Sequence, residues 1–327
     1  MNRRLLLAGL LGVSACAPLS QQALVPPQGF SGPRLDPDAL VSFDGQRLPM
    51  TVWPAEAGEP WAVVIALHGM NDYAEAFTLA GPFWAAQGVT TYAYDQRGFG
   101  RGVGRGVWGG EGLMAEDLRT ACALARARHP KAIIAVAGES MGGAVAIAAF
   151  ASGRPPDADR LVLLSPAVWG WSDQSIPENV ALWLTAHLAP ASKLEPPSWL
   201  TRKIRATDNI EILRRMSRDR NLIFATRVDA IYGLVGLMQD AQDEIGRVKV
   251  PLLYQYGAHD QIIPPGAAHH AVRRLGPNGR SAFYVDDWHL LNRDLGRERV
   301  LGDALAFIRD PSAPLPSGAP HVPHAVR

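Results

Sequence analysis

The chain has 327 residues, 47% of them hydrophobic and 19% charged. That length suits one large domain, or a domain carrying an insert, and is ample to bury a core. With 32 Lys+Arg against 31 Asp+Glu the formal charge is +1, which leaves no electrostatic footprint for nucleic acid, and two cysteines can build neither a disulfide framework nor a cysteine-based zinc site.

In chain order the first object is a short one. Asn2-Arg3-Arg4 is basic, and Leu5 to Val13 is apolar but too short to span a bilayer. Val13-Ser14-Ala15-Cys16 then matches a lipobox. Residues 1–15 therefore resemble a bacterial lipoprotein signal peptide, with Cys16 as the lipidated first residue of the mature protein. Residues 16–37 read as a Pro/Gly-rich tether. The implied location is the cell envelope, facing the periplasm, with Ala17 favouring the outer membrane. Cys122, the other cysteine, sits in an Ala/Leu-rich helical stretch as a small core residue.

From residue 38 to 309 strands alternate with helices. Val41 to Phe43 and Leu48 to Trp53 flank an Asp44-Gly45 turn and form a hairpin. Trp61 to Leu67 is a continuous apolar run, as a strand buried on both faces requires. A helix over Tyr73 to Gln87 ends at Gly88, and a strand follows over Val89 to Tyr94. After a Gly/Arg-rich loop at 96–110 come a helix from Leu113 to His129, a strand from Ala132 to Ala137 and a small-residue helix from Met141 to Ser152. Strands at Leu161 to Leu164, Val250 to Tyr256 and Ala282 to Val285 precede a closing helix from Asn292 to Arg309. This alternation predicts an α/β fold with a mostly parallel central sheet flanked by helices. Residues 168–247 break the rhythm. They hold Trp169, Trp171, Trp183 and Trp199 and read as a helical cap inserted between core segments 38–167 and 248–309. The proline-rich segment 310–327 reads as a disordered tail.

The chemistry centres on Gly138-Glu139-Ser140-Met141-Gly142, a G-x-S-x-G placed between a buried strand and a small-residue helix. Gly138 and Gly142 make room for a sharp turn that lifts the Ser140 hydroxyl to a helix N-terminus. A serine hydroxyl needs a base, and the base an orienting carboxylate. The order Ser, acid, His is met by Ser140, then Asp260 after the strand at 250–256, then His289 after the strand at 282–285. Asp286 and Asp287 rival Asp260 but lie on the histidine's own loop. His259, His269 and His270 rival His289, but the first adjoins the acid and the other two lie on a helix. The amides of Met141 and of Met70, in His68-Gly69-Met70, are the expected oxyanion donors, with His68 ordering that loop.

These residues resemble the α/β-hydrolase superfamily, and within it the monoacylglycerol lipase and lysophospholipase group of serine-aminopeptidase-like hydrolases. The resemblance rests on His68-Gly69-Met70, Tyr94-Asp95-Gln96-Arg97-Gly98-Phe99-Gly100, the segment 138–143, Gly257-Ala258-His259-Asp260-Gln261 and His289-Leu290-Leu291-Asn292. It implies an α/β-hydrolase fold with a helical cap and a serine hydrolase cleaving acyl-lipid esters through an acyl-enzyme, with no metal or cofactor. Asp95 and Arg97 are implied to order the loop that carries them. A thioesterase, peptidase or acyltransferase would use the same triad, and a catalytically silent envelope lipoprotein is the competing class. The Gly/Arg-rich 101–110 loop departs from the family pattern.

Overall fold

The computed structural model of the protein describes residues 17–56, 58–195 and 204–323. The signal peptide and Cys16 lie outside the described residues, as do Trp199 and the last four residues of the expected tail. Strands β1 (Arg34–Asp36), β2 (Ala39–Val41), β3 (Arg47–Trp53), β4 (Ala62–Leu67), β5 (Val89–Tyr94), β6 (Ile133–Glu139) and β7 (Arg160–Leu164) lead to a small ladder of β8 (Lys193–Leu194) and β9 (Thr226–Arg227). Strands β10 (Leu252–Gly257) and β11 (Gly279–Tyr284) complete the set. Nine of them form one sheet in the order β1-β2-β3-β5-β4-β6-β7-β10-β11. The pairings among β1, β2, β3 and β5 are antiparallel, and all later ones are parallel.

The apolar strands sort their side chains by period two between two helical layers. Val63, Ile65 and Leu67 of β4 face the core shared with helices α2 (Glu111–Arg128) and α3 (Met141–Ala151). Ala62, Val64 and Ala66 face the core shared with α1 (Ala80–Ala85) and the closing helix, Arg297–Arg309. The order reverses around β4, which pairs with β5 on one side and β6 on the other. At such a switch point the loops leaving the carboxyl ends diverge and open a crevice. Leu67 lies opposite Gly138, so the His68-Gly69-Met70 loop and the Ser140 turn leave the sheet side by side.

Several boundaries differ from those read in the sequence. The 73–87 helix is a 3-10 turn at Ala74–Phe77 followed by α1, whose Gly81 leaves room for the Trp53 ring. The cap holds α4 (Ile176–Leu188), the β8–β9 ladder and α5 (Ile210–Met216). The following helix, α6 (Val228–Glu244), places Ala230, Leu237 and Ala241 in the main core, so the core resumes at residue 228 rather than 248. After α7 (Pro265–Arg273), the closing helix α8 (Arg297–Arg309) begins five residues later than expected. The residues before it, including buried Asn292, Arg293 and Asp294, form a loop against the site.

Two expected coils lie on the core. Part of the tether is ordered: the Gln21 amide donates to the Trp108 carbonyl at 2.8 Å, the Leu24 amide to Asp44 at 2.9 Å, and β1 pairs with β2. Residues 310–323 are not disordered. Arg280 donates to the carbonyls of Pro311 and Ala313, the Ser317 amide donates to Asp303, and the Phe283 amide donates to the Pro320 carbonyl at 2.8 Å. Val322 is buried. Proline lacks an N–H, but its carbonyl still accepts, so this segment covers the β11 edge without forming a full strand. Ending the chain at Asp310 should lower the melting temperature by several degrees while leaving the circular dichroism spectrum of the fold; an unchanged melting temperature would show that the segment contributes nothing.

Candidate active site

Ser140 caps α3 with φ 51° and ψ −117°, one of three non-glycine residues with positive φ among those described. Holding a residue there costs on the order of 1–3 kcal/mol, so its surroundings must enforce it. They do. The Ser140 amide donates to the Leu164 carbonyl at 3.0 Å, and the Ser140 carbonyl accepts from Ala167 at 2.9 Å. A Cβ on Gly138 would stand 2.6 Å from the Gly142 carbonyl oxygen, and one on Gly142 would stand 2.3 Å from that of Leu67. Both glycines are therefore steric requirements of the turn. Met141 is the first residue of α3, where amides have no intrahelical acceptor.

Gly69 abuts the turn: a Cβ there would lie 3.2 Å from the Ser140 Cβ. Met70 follows it, and Asn71, at φ 66°, is tied to the cap through Thr226 at 2.7 Å. His68 is fully buried. Its Nδ1–H points to the Gly69 carbonyl and its Nε2 accepts from the Gln96 amide, both at 2.8 Å. Burial lowers its pKa, so it stays a neutral brace for the loop. Asp95 holds the Ala74 amide and the Arg101 guanidinium, and buried Arg97 pairs with Asp44 and Asp117. These two residues order the loop after β5, as expected.

Asp260 and His289 meet directly, with His289 Nδ1 2.8 Å from Asp260 Oδ2. The other carboxylate oxygen accepts the amides of Ile262 at 2.8 Å and Ile263 at 2.9 Å. The two loops are stitched by their backbones, Ala258 to Tyr284 at 2.9 Å and His259 to Asp287 at 3.0 Å. Both side chains are buried. Burial opposes the imidazolium, but the Asp260 carboxylate outweighs it, and the His289 pKa is raised from its ordinary value. The rivals stand elsewhere: Asp286 and Asp287 pair with Arg299, exposed His259 stacks on Trp288, and His269 and His270 lie on α7.

The serine turn and the histidine loop are joined by a buried ion pair beside the catalytic candidates. Glu139, preceding Ser140, accepts from Arg293, four residues past His289, at 2.5 Å. Arg293 also donates to Asp72 of the Met70 loop at 2.7 Å. Asp72 and Arg293 carry no local sequence signal, and Glu139 stands in the serine motif with no role assigned to it, since only the fold brings 72, 139 and 293 together. The cap closes over the same loops. The Leu290 amide donates to Ala206, the Leu295 amide to Asp208, and the Ile223 amide to Asn71. Burial pushes Asp294, which accepts the Trp288 amide, up to about 7. Cys122 is buried and free, as expected, and burial raises its pKa. Among the described residues no cluster of three or more candidate ligands for a metal exists.

The model of the serine aminopeptidase S33 family matches residues 58–296, most of the folded chain and every loop described above. The chain belongs to the serine aminopeptidase S33 family. Its fold is the α/β-hydrolase fold. It is 26% identical over 283 residues to a monoacylglycerol lipase of Mycolicibacterium smegmatis, covering 83% of this chain and 95% of that one. A monoglyceride lipase of Rattus norvegicus is 28% identical over 137 residues, covering 42% and 45%. Among solved structures, a soluble variant of monoglyceride lipase from Saccharomyces cerevisiae superposes with a TM-score of 0.69 at 17% identity, covering 89% of this chain and 98% of that one. Monoacylglycerol lipase from Paleococcus ferrophilus gives 0.65 at 17%, covering 80% and 98%.

The His289 imidazole should titrate above the ordinary histidine range, and Asp260→Asn should move that titration to lower pH. Histidine-selective NMR across pH 4–9 reads both; a titration unmoved by Asp260→Asn would contradict the pairing.

Proposed function

We propose that this family member is a serine hydrolase that cleaves the carboxylic ester of an acyl lipid, a monoacylglycerol or lysophospholipid, through Ser140, Asp260 and His289. It is a carboxylic ester hydrolase. The observation that carries it is the strained turn at Ser140, held on the same loop cluster as the buried Asp260–His289 pair.

In this mechanism His289 Nε2 takes the Ser140 proton as Oγ attacks the ester carbonyl. Asp260 holds Nδ1–H and stabilises the imidazolium. The amides of Met70 and Met141 receive the developing oxyanion, a contribution worth about 10²–10³ in rate per donor. Collapse expels the alcohol, which takes its proton from His289 and leaves an acyl-Ser140. Water then loses a proton to His289, attacks the acyl carbonyl, and frees the fatty acid and the serine. No other group is consumed.

The lipid assignment draws on the cap. Ile176, Val180, Trp183, Leu184 and Leu188 line one side of α4 and are exposed, Ile176 by 78% and Leu188 by 72%. Contiguous exposed apolar side chains mark contact with an apolar partner, here a substrate delivered from a lipid phase. Trp169 and Trp171 instead pack on the core, so only part of the tryptophan content belongs to that face. The relatives named as monoacylglycerol and monoglyceride lipases support the same substrate class.

We also propose that Cys16 carries the lipid that holds the enzyme at the cell envelope, the outer membrane being favoured, on the strength of the lipobox. No helix among the described residues is long and apolar enough to cross a membrane.

Fatty-acid release from 1-monoacylglycerols, lysophosphatidylcholine and short nitrophenyl esters should favour a long-chain lipid and vanish in Ser140→Ala. Turnover of short activated esters alone would remove the lipid assignment while keeping the hydrolase. Cys16→Ser should move the protein from the membrane fraction to the soluble one with activity retained; equal partitioning of both forms would refute the anchor.

A further inference from the structure

One buried cation joins the three loops that make up the site. Arg293 sits on the His289 loop with its side chain 3% exposed. It spans Asp72, 8% exposed, on the loop of Met70, and Glu139, 1% exposed, in the turn of Ser140. Its two terminal nitrogens serve different loops, Nη1 the Asp72 carboxylate at 2.7 Å and Nη2 the Glu139 carboxylate at 2.5 Å. The neighbouring Asn292 amide is fixed on the Ala76 carbonyl at 3.1 Å, so the base loop is held from a second side. The Glu139 carboxylate also lies against Gly69, where a Cβ would stand 3.3 Å from Oε1.

A buried ion network is weak evidence for stability, because taking charges out of water offsets most of their attraction. What it supplies is geometry: a planar guanidinium presents fixed donor directions, and moving any of the three loops breaks a charge-assisted bond in a dry site. We infer that Arg293, with Glu139 and Asp72, is a positioning unit that sets the spacing of nucleophile, oxyanion loop and base for the ester hydrolysis proposed above, on which this inference rests.

The unit also sets the field at the base. The groups that act on His289 are Asp260 and Glu139, which favour the imidazolium, and Arg293, which disfavours it. Burial raises the Glu139 pKa and the Arg293 guanidinium opposes that rise; with the carboxylate ionised against Arg293, removing its charge leaves His289 easier to deprotonate. A role in stability alone predicts no such change.

The test uses the full-length protein in detergent, with rates corrected to folded molecules. Arg293→Lys keeps the charge but cannot hold both carboxylates, so kcat should fall about ten- to a hundredfold with KM little changed. Arg293→Met should lose more than Arg293→Lys. Glu139→Gln keeps the shape and an acceptor for Arg293, and should move the acidic limb of kcat/KM to lower pH. A wild-type kcat in Arg293→Lys, or an unmoved acidic limb in Glu139→Gln, overturns the inference. Wild-type protein that hydrolyses no ester would overturn the hydrolase reading itself, and this inference with it.

Discussion

The backbone at Ser140 is the constraint on which the remaining features depend. A side chain at φ 51° survives only where the surroundings leave no alternative. That requirement explains the two glycines: Gly138 lets α3 press against the end of β6, and Gly142 lets it press against the end of β4. It also explains the composition of α3, a helix of small and aliphatic residues buried from Met141 to Phe150. The strand before the turn must be rigid, and β6 is, with β4 on one side and β7 on the other. The Leu164 carbonyl at the end of β7 then accepts the Ser140 amide and fixes the turn from below.

Around that turn the protein keeps polar groups dry and in use. Asp260 gives one oxygen to two amides and the other to His289. His68, a histidine that could be mistaken for a base, has both ring nitrogens engaged with backbone. Arg293 satisfies two loops at once. The cap hydrogen-bonds to the Asn71 loop at one end and the Leu290 loop at the other, so the groups that would choose the substrate are tied to those that would transform it. Apolar strands are thus only half of the design; the other half is a buried set of ion pairs and hydrogen bonds at the sheet's carboxyl edge.

Much of this was legible in the residues themselves. Strand β5 occupies the expected span, Val89–Tyr94, because β-branched and aromatic residues between turn signals favour a strand. Ser140, Asp260 and His289 stood out because each follows a strand in the required chain order, and the structure pairs the last two. What stayed hidden depends on distant partners. Asp72 and Arg293 look like ordinary surface charges, and Glu139 like a variable position of the serine motif, until the fold buries them together. Residues 310–323 look like a coil because proline content signals the absence of regular structure, whereas their carbonyls serve an open sheet edge. Helix α6 looks like part of the cap since it follows other helices, and only its packing beside α3 places it in the core.

The account stands or falls on Ser140 as a nucleophile activated by His289. Reaction of the full-length protein with a fluorophosphonate, followed by peptide mass mapping, addresses it directly. A single stoichiometric adduct on Ser140, abolished in His289→Ala while that variant stays folded, is the predicted result. A folded protein that gains no adduct, or gains it on another residue, would contradict the assignment of the active site.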